Sequence, residues 1–80
     1  MNRYVATFHT HLSAMRSQRA LAFKGVSARL APVPRSLSAS CGTCVRYQAE
    51  EPHLEAMDRD VERVVLETGE QRYETLLINE

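Results

Sequence analysis

Cys41 and Cys44 stand three residues apart in the run Ser40-Cys41-Gly42-Thr43-Cys44 and are the only thiols of the chain. A Cys-x-x-Cys pair supports three chemistries. As a dithiol–disulfide couple it exchanges electrons with other thiols. As half of a zinc site it needs two more ligands, which His9 and His11 would have to supply. As a sulfur carrier, one thiolate accepts a sulfane sulfur as a persulfide while the other thiol resolves or assists, by the attack logic of thiol–disulfide exchange.

The surroundings weigh these three unequally. A redox pair normally opens a helix after a strand, whereas Cys44-Val45-Arg46-Tyr47-Gln48 alternates and predicts a strand that follows the pair. His9-x-His11 is an unusual ligand spacing, so a cap or surface role suits these histidines better. Neither a metal nor another cofactor is expected. Ser36, Ser38 and Ser40, with backbone amides freed by an irregular turn, offer hydrogen bonds to an anion. Gly42 removes side-chain bulk beside Cys41. Arg35 and Arg46 bracket the segment, and positive charge favours a thiolate. Cys41 is thus the candidate reactive thiol, with Arg35, Ser38, Ser40, Gly42 and Arg46 as candidate substrate-binding residues. Cys44 is the candidate second thiol, or else a small hydrophobe at the start of a strand.

The elements that must hold this segment follow from hydrophobic periodicity. Arg3 to Phe8 is rich in β-formers and nearly continuous in apolar character, as in a buried strand. Thr10 can cap a helix over residues 11–24, with Leu12, Met15, Ala22 and Phe23 on its apolar face, and Gly25 can end it. Val26 to Leu30 alternates as a half-buried strand. Pro32 and Pro34 then place the chain at a sheet edge or end, and residues 35–42 form a Ser-rich loop. After the strand from Cys44, Pro52 fits a first helical position. Leu54, Met57, Val61, Val64 and Val65 fall in one helical stripe, Glu55 and Arg59 pair at i and i+4, and Gly69 breaks the helix. Tyr73 to Ile78 completes the set as a strand. The order β-α-β-β-α-β predicts a ferredoxin-like α+β sandwich: a four-stranded, mostly antiparallel sheet with both helices on one face.

Composition bounds the setting. Eighty residues, 44% hydrophobic, make one domain with one modest core, residues 1–80. No apolar run approaches a membrane span, and the opening residues break too early for a secretory signal. Two neighbouring thiols would staple almost nothing, which predicts a cytoplasmic protein. Residues 1–49 hold seven basic side chains and no acidic one, while residues 50–80 hold all ten acids against Arg59, Arg63 and Arg72. The two parts are expected to fold against each other and partly neutralise, with the basic part around the cysteines. Five aromatics and an acidic second part argue against nucleic acid as a partner.

Tyr4-Val5-Ala6-Thr7-Phe8-His9-Thr10-His11, followed by Leu30-Ala31-Pro32-Val33-Pro34-Arg35-Ser36-Leu37-Ser38-Ala39-Ser40-Cys41-Gly42, resembles the small bacterial selenium/sulfur carrier protein-like domains. Those domains share a PVPR-x-L-S-x-S-C-G stretch after the second strand, and the likeness runs over essentially the whole chain. The resemblance implies a carrier rather than a complete enzyme, with Cys41 holding a persulfide or selenopersulfide. It would be supplied by a cysteine desulfurase-type donor and pass its cargo to an acceptor protein; self-pairing into a homodimer stays open. Pro32, Pro34, Arg35, Ser38, Ser40 and Gly42 would form the carrier loop. Cys44 stands where the family varies, and Ala39 where it has serine. Two other functions remain open: a thiol–disulfide redox protein using both cysteines, and a non-catalytic ferredoxin-like module gripping an anionic partner.

Overall fold

The computed structural model describes residues 1–79. Five strands and one helix follow each other along the chain: β1 Asn2–Phe8, α1 His11–Phe23, β2 Ser27–Pro32, β3 Thr43–Ala49, β4 Val61–Gly69 and β5 Arg72–Ile78, with a single 3-10 turn at Leu54–Ala56. The strands form one sheet in the order β2-β3-β1-β4-β5, and each neighbouring pair is antiparallel. No helix among the described residues is long and apolar enough to cross a membrane.

The helix begins where its cap predicts. Thr10 is extended, and its hydroxyl accepts from the Ser13 N–H at 3.1 Å. It ends at Gly25, whose φ of 83° supplies the left-handed turn, with Gly25 N–H bonded to Ala22 and Val26 N–H to Leu21. Its buried face is a correction to the expected one. Ser13, Ala14, Ser17 and Leu21 are buried, whereas Leu12 is half exposed and Phe23 is 95% exposed. Small residues let the helix axis come close to the sheet, and Ser17 Oγ accepts from the Asp58 N–H at 2.8 Å, which fixes the roll. The leucine–phenylalanine stripe is left facing out.

The expected ferredoxin-like sandwich of four strands and two helices is also corrected. Where a second helix was expected, over residues 52–68, the chain makes only the 3-10 turn before entering β4, which pairs with β1 on one side and β5 on the other. The reason is visible in the register. Thr7 pairs with Arg63 but Phe8 with Val61, so Glu62 is an extra residue in β4, a β-bulge. Bulging reverses the face parity, so Val61 and Val64 both reach the core under α1, while Val65 faces the other way. Three valines at i, i+3 and i+4 therefore mimic a helical stripe in a strand that is buried on both faces. β-Branched side chains suit that strand better than a helix.

Each face of the sheet carries its own apolar cluster. On the helix side, Tyr4, Ala6 and Phe8 of β1 pack with Val45 and Tyr47 of β3, Val64 of β4, and Ala14 and Leu21 of α1. On the other side, Val5, Cys44 and Val65 are covered by Leu37, which descends from the loop between β2 and β3. That loop roofs part of the second face.

Candidate functional site

The loop that carries Cys41 is closed at its base and held at three further points. Val33 N–H bonds to the Gly42 carbonyl at 3.2 Å, continuing the β2–β3 pairing one step past the strands. Leu37, 8% exposed, pegs the middle into the apolar cluster above Val5 and Cys44. Just before the cysteine, Ser40 donates to Glu62 from both its N–H, at 3.2 Å, and its hydroxyl, at 2.9 Å. Just after it, Thr43 Oγ1 lies 3.1 Å from His11 Nδ1 at the first residue of α1. The bulge at Glu62 aims that carboxylate at the loop, and His9 joins the same group, with Nδ1 3.3 Å from Ser40 Oγ and 3.7 Å from Glu62 Oε2.

Within this frame Cys41 is half-buried and its sulfur accepts the Thr43 N–H at 3.4 Å. Gly42 beside it is exposed, and a Cβ built there would meet nothing within 4 Å. The residue next to the thiol thus adds no side-chain bulk, and the space where one would stand is open. Cys44 differs on every count. It has no exposed surface, its thiol points toward the Pro32 carbonyl 3.5 Å away, and it is packed under Leu37. Burial pushes its pKa above the ordinary thiol range, against the opposing pull of Arg46 and Arg29. Both cysteines are free thiols.

The residues singled out from sequence are thus divided. Ser38, Ser40, Cys41, Gly42 and Arg35 share the loop, with Arg35 and Ser38 exposed. Arg46 lies on the sheet face with Cys44, two residues along the same strand. No hydrogen bond or ion pair joins Arg35 or Arg46 to Cys41 among the described residues. The side chains that sequence did not single out for this loop are Glu62 and Thr43, together with the histidines in a new role. His9 and His11 do not form a ligand set with the thiols; they bond to Ser40 and Thr43, and no group of three His, Cys, Asp or Glu side chains among the described residues could hold a metal ion. His53 lies away from the loop, in the left-handed region at φ 50° ahead of the 3-10 turn, with Nδ1 3.3 Å from Glu55.

Neither a curated protein nor a solved structure matches the chain. A family model does, that of the family described as "Putative Se/S carrier protein-like", and it matches residues 3–68. That span runs from β1 through nearly all of β4 and takes in the whole Cys41 loop with every residue that holds it; only β5 lies outside. On this match, the chain belongs to the Se/S carrier protein-like family.

Proposed function

We propose that this chain carries sulfur or selenium as a persulfide or selenopersulfide on Cys41, taking it from a donor protein and giving it to an acceptor. The single observation that carries the reading is the contrast between two thiols three residues apart. Cys41 is partly exposed on an anchored loop beside the open position of Gly42, and Cys44 is sealed beneath Leu37. Persulfide transfer needs a thiol that another protein's sulfur can reach, and the partial exposure of Cys41 against the full burial of Cys44 supports Cys41 in that role.

In the transfer step the Cys41 thiolate attacks the terminal sulfur of a persulfide on the donor's cysteine. The new S–S bond forms on Cys41 as the old one breaks, and the donor cysteine departs as a thiolate. No net oxidation occurs. A selenium atom passes in the same way. The Thr43 N–H, already aimed at the Cys41 sulfur, would hydrogen-bond the sulfur chain. Ser40, Ser38 and Gly42 would line the approach, with Arg35 at the loop's exposed edge as a contact for the donor. A donor of the cysteine desulfurase class and a reducing, cytoplasmic setting fit this chemistry.

Incubation with a cysteine desulfurase and free cysteine, followed by intact-mass analysis, tests the reading. A reducible gain of one sulfur atom is expected in the wild type and in Cys44→Ala, and none in Cys41→Ser. A gain that survives Cys41→Ser, or no gain with any desulfurase, overturns it. The dithiol-couple alternative requires Cys44 to leave its cluster, and it would show as a reversible intramolecular disulfide that either substitution abolishes.

A further inference from the structure

The sheet face opposite α1 is only partly roofed. Beside the portion covered by Leu37 lies an open cleft of about 190 Å³, whose lining adds to Tyr4 and Tyr47 the polar residues Arg3, Ser27, Arg29, Arg46, Gln48 and Glu67. The register explains why these residues meet. Arg29 of β2 stands directly across from Arg46 of β3, and Gln48, one step along the same face, is flanked by Ser27 on β2 and Arg3 on β1. Three neighbouring strands thus deliver three guanidiniums to one concavity.

Like charges directly across a strand pair are destabilising, and here Arg29 stands directly across from Arg46. Among the described residues none of the three arginines forms an ion pair, although Glu67 stands in the same cleft. Glu67 is the one acidic side chain of the lining, against three guanidiniums. The chemistry of the lining defines what would relieve this imbalance. Guanidiniums stay charged at any physiological pH and present paired N–H groups that match a tetrahedral oxyanion. Three such groups suit a doubly charged anion better than a single carboxylate. The Ser27 hydroxyl and Gln48 amide add neutral donors for remaining oxygens. Size narrows the choice further, since pockets that enclose a whole drug-sized ligand run to roughly 300–1,000 Å³. This cleft takes a phosphoryl head and leaves the rest of the molecule outside.

We propose that the cleft binds the phosphoryl group of a small phosphorylated molecule, gripped by Arg3, Arg29 and Arg46. The site lies on the sheet face, apart from the Cys41 loop, and stands or falls independently of sulfur carriage.

Titration of the ¹⁵N-labelled full chain with inorganic phosphate, and separately with phenyl phosphate, at fixed ionic strength provides the test. Saturable amide shifts are expected on β1, β2 and β3 around Arg3, Ser27, Arg29, Arg46 and Gln48. Arg29→Ala should weaken binding about tenfold, as loss of one charge-assisted contact does, and Arg29→Lys should recover only part of it because the fork is gone. Arg16→Ala, on the exposed side of α1, should change nothing. Should Arg29→Ala fail to fold, Arg3→Ala gives the same reading. Shifts that never saturate, that spread over all the arginines, or that survive Arg29→Ala overturn the proposal. Binding of phosphate but not of phenyl phosphate would overturn it too, since the cleft would then admit only the free ion.

Discussion

Glu62 holds Ser40 by two hydrogen bonds, one to the backbone N–H at 3.2 Å and one to the hydroxyl at 2.9 Å, and so fixes the residue immediately before Cys41. The carboxylate reaches the loop because Glu62 is the bulged residue of β4. A regular strand would have no extra residue at that place.

Glu62→Ala should therefore loosen the loop more than it weakens the sheet. Hydrogen bonds to a charged group contribute about 1.5–3 kcal/mol where well formed, and this carboxylate is partly exposed, so a loss of about 1–2 kcal/mol is expected. The check is a urea midpoint that falls with unchanged slope, accompanied by faster iodoacetamide alkylation of Cys41. An unchanged alkylation rate would mean the bonds to Ser40 do not restrain the thiol.

Native protein should take up one equivalent of iodoacetamide, at Cys41, and a second at Cys44 only on unfolding. Peptide mapping after a short alkylation distinguishes the two. Comparable labelling of both thiols without denaturant would contradict the sealed position of Cys44.

Leu37→Ala removes the peg above Val5, Cys44 and Val65. Truncating a buried leucine costs about 2–5 kcal/mol, and a peg on a loop should lie at the low end, because the loop can settle. Thermal melting gives the loss, and Cys44 should become open to alkylation in the same variant. If Cys44 stays protected, something other than Leu37 covers it.

Stability should fall on the alkaline side. Burial raises the Cys44 thiol above its ordinary value, and burial, followed by the neighbouring Tyr4 and Glu55, raises the Tyr47 phenol. Both groups thus keep their protons in the folded chain after the unfolded chain has begun to release them, from about pH 8.5 for a thiol and about 10 for a phenol. The native state then binds more protons, and stability declines as pH rises, by up to about 1.4 kcal/mol per pH unit for each group. Urea midpoints should be level near neutrality and drop above about pH 8.5, and Cys44→Ala should remove the first part of the drop.

The roll of α1 can be tested with two substitutions. Phe23→Ser, at a fully exposed position, should stay within about 0.5 kcal/mol of wild type. Ala14→Leu, inserted between helix and sheet, should cost about 1–3 kcal/mol through overpacking. The reverse ranking, read from denaturation midpoints, would restore the Leu12–Phe23 face to the core.

Local signals were legible where one short-range rule decided the outcome. Thr10 capped its helix, Gly25 ended it, and the alternation after Cys44 was a strand. Residues 52–68 misled because the bulge at Glu62 placed valines at helical spacing in a doubly buried strand, and a bulge depends on the partner strand rather than on local sequence. The face of α1 misled because serines and alanines pack closest, a preference that counting large apolar residues misses. At the candidate site, Cys41 and its loop mates could be named from their types and spacing. Glu62 could not, since its nearness to Ser40 spans 22 residues of chain. Arg46 was joined to Cys41 by closeness in sequence, but strand alternation puts it on the sheet face with Cys44.

The anchoring of the β2–β3 loop also dictates who must move during any reaction at Cys41. Leu37 in its apolar seat and Thr43 at the mouth of β3 leave only a short span of backbone between fixed points, too little for a swinging arm. The thiol is a stationary berth. Any partner reacting at Cys41 would have to bring its own reactive atom to it, so the reach and shape of that partner's catalytic segment, more than any travel by this protein, would decide which molecules it can serve.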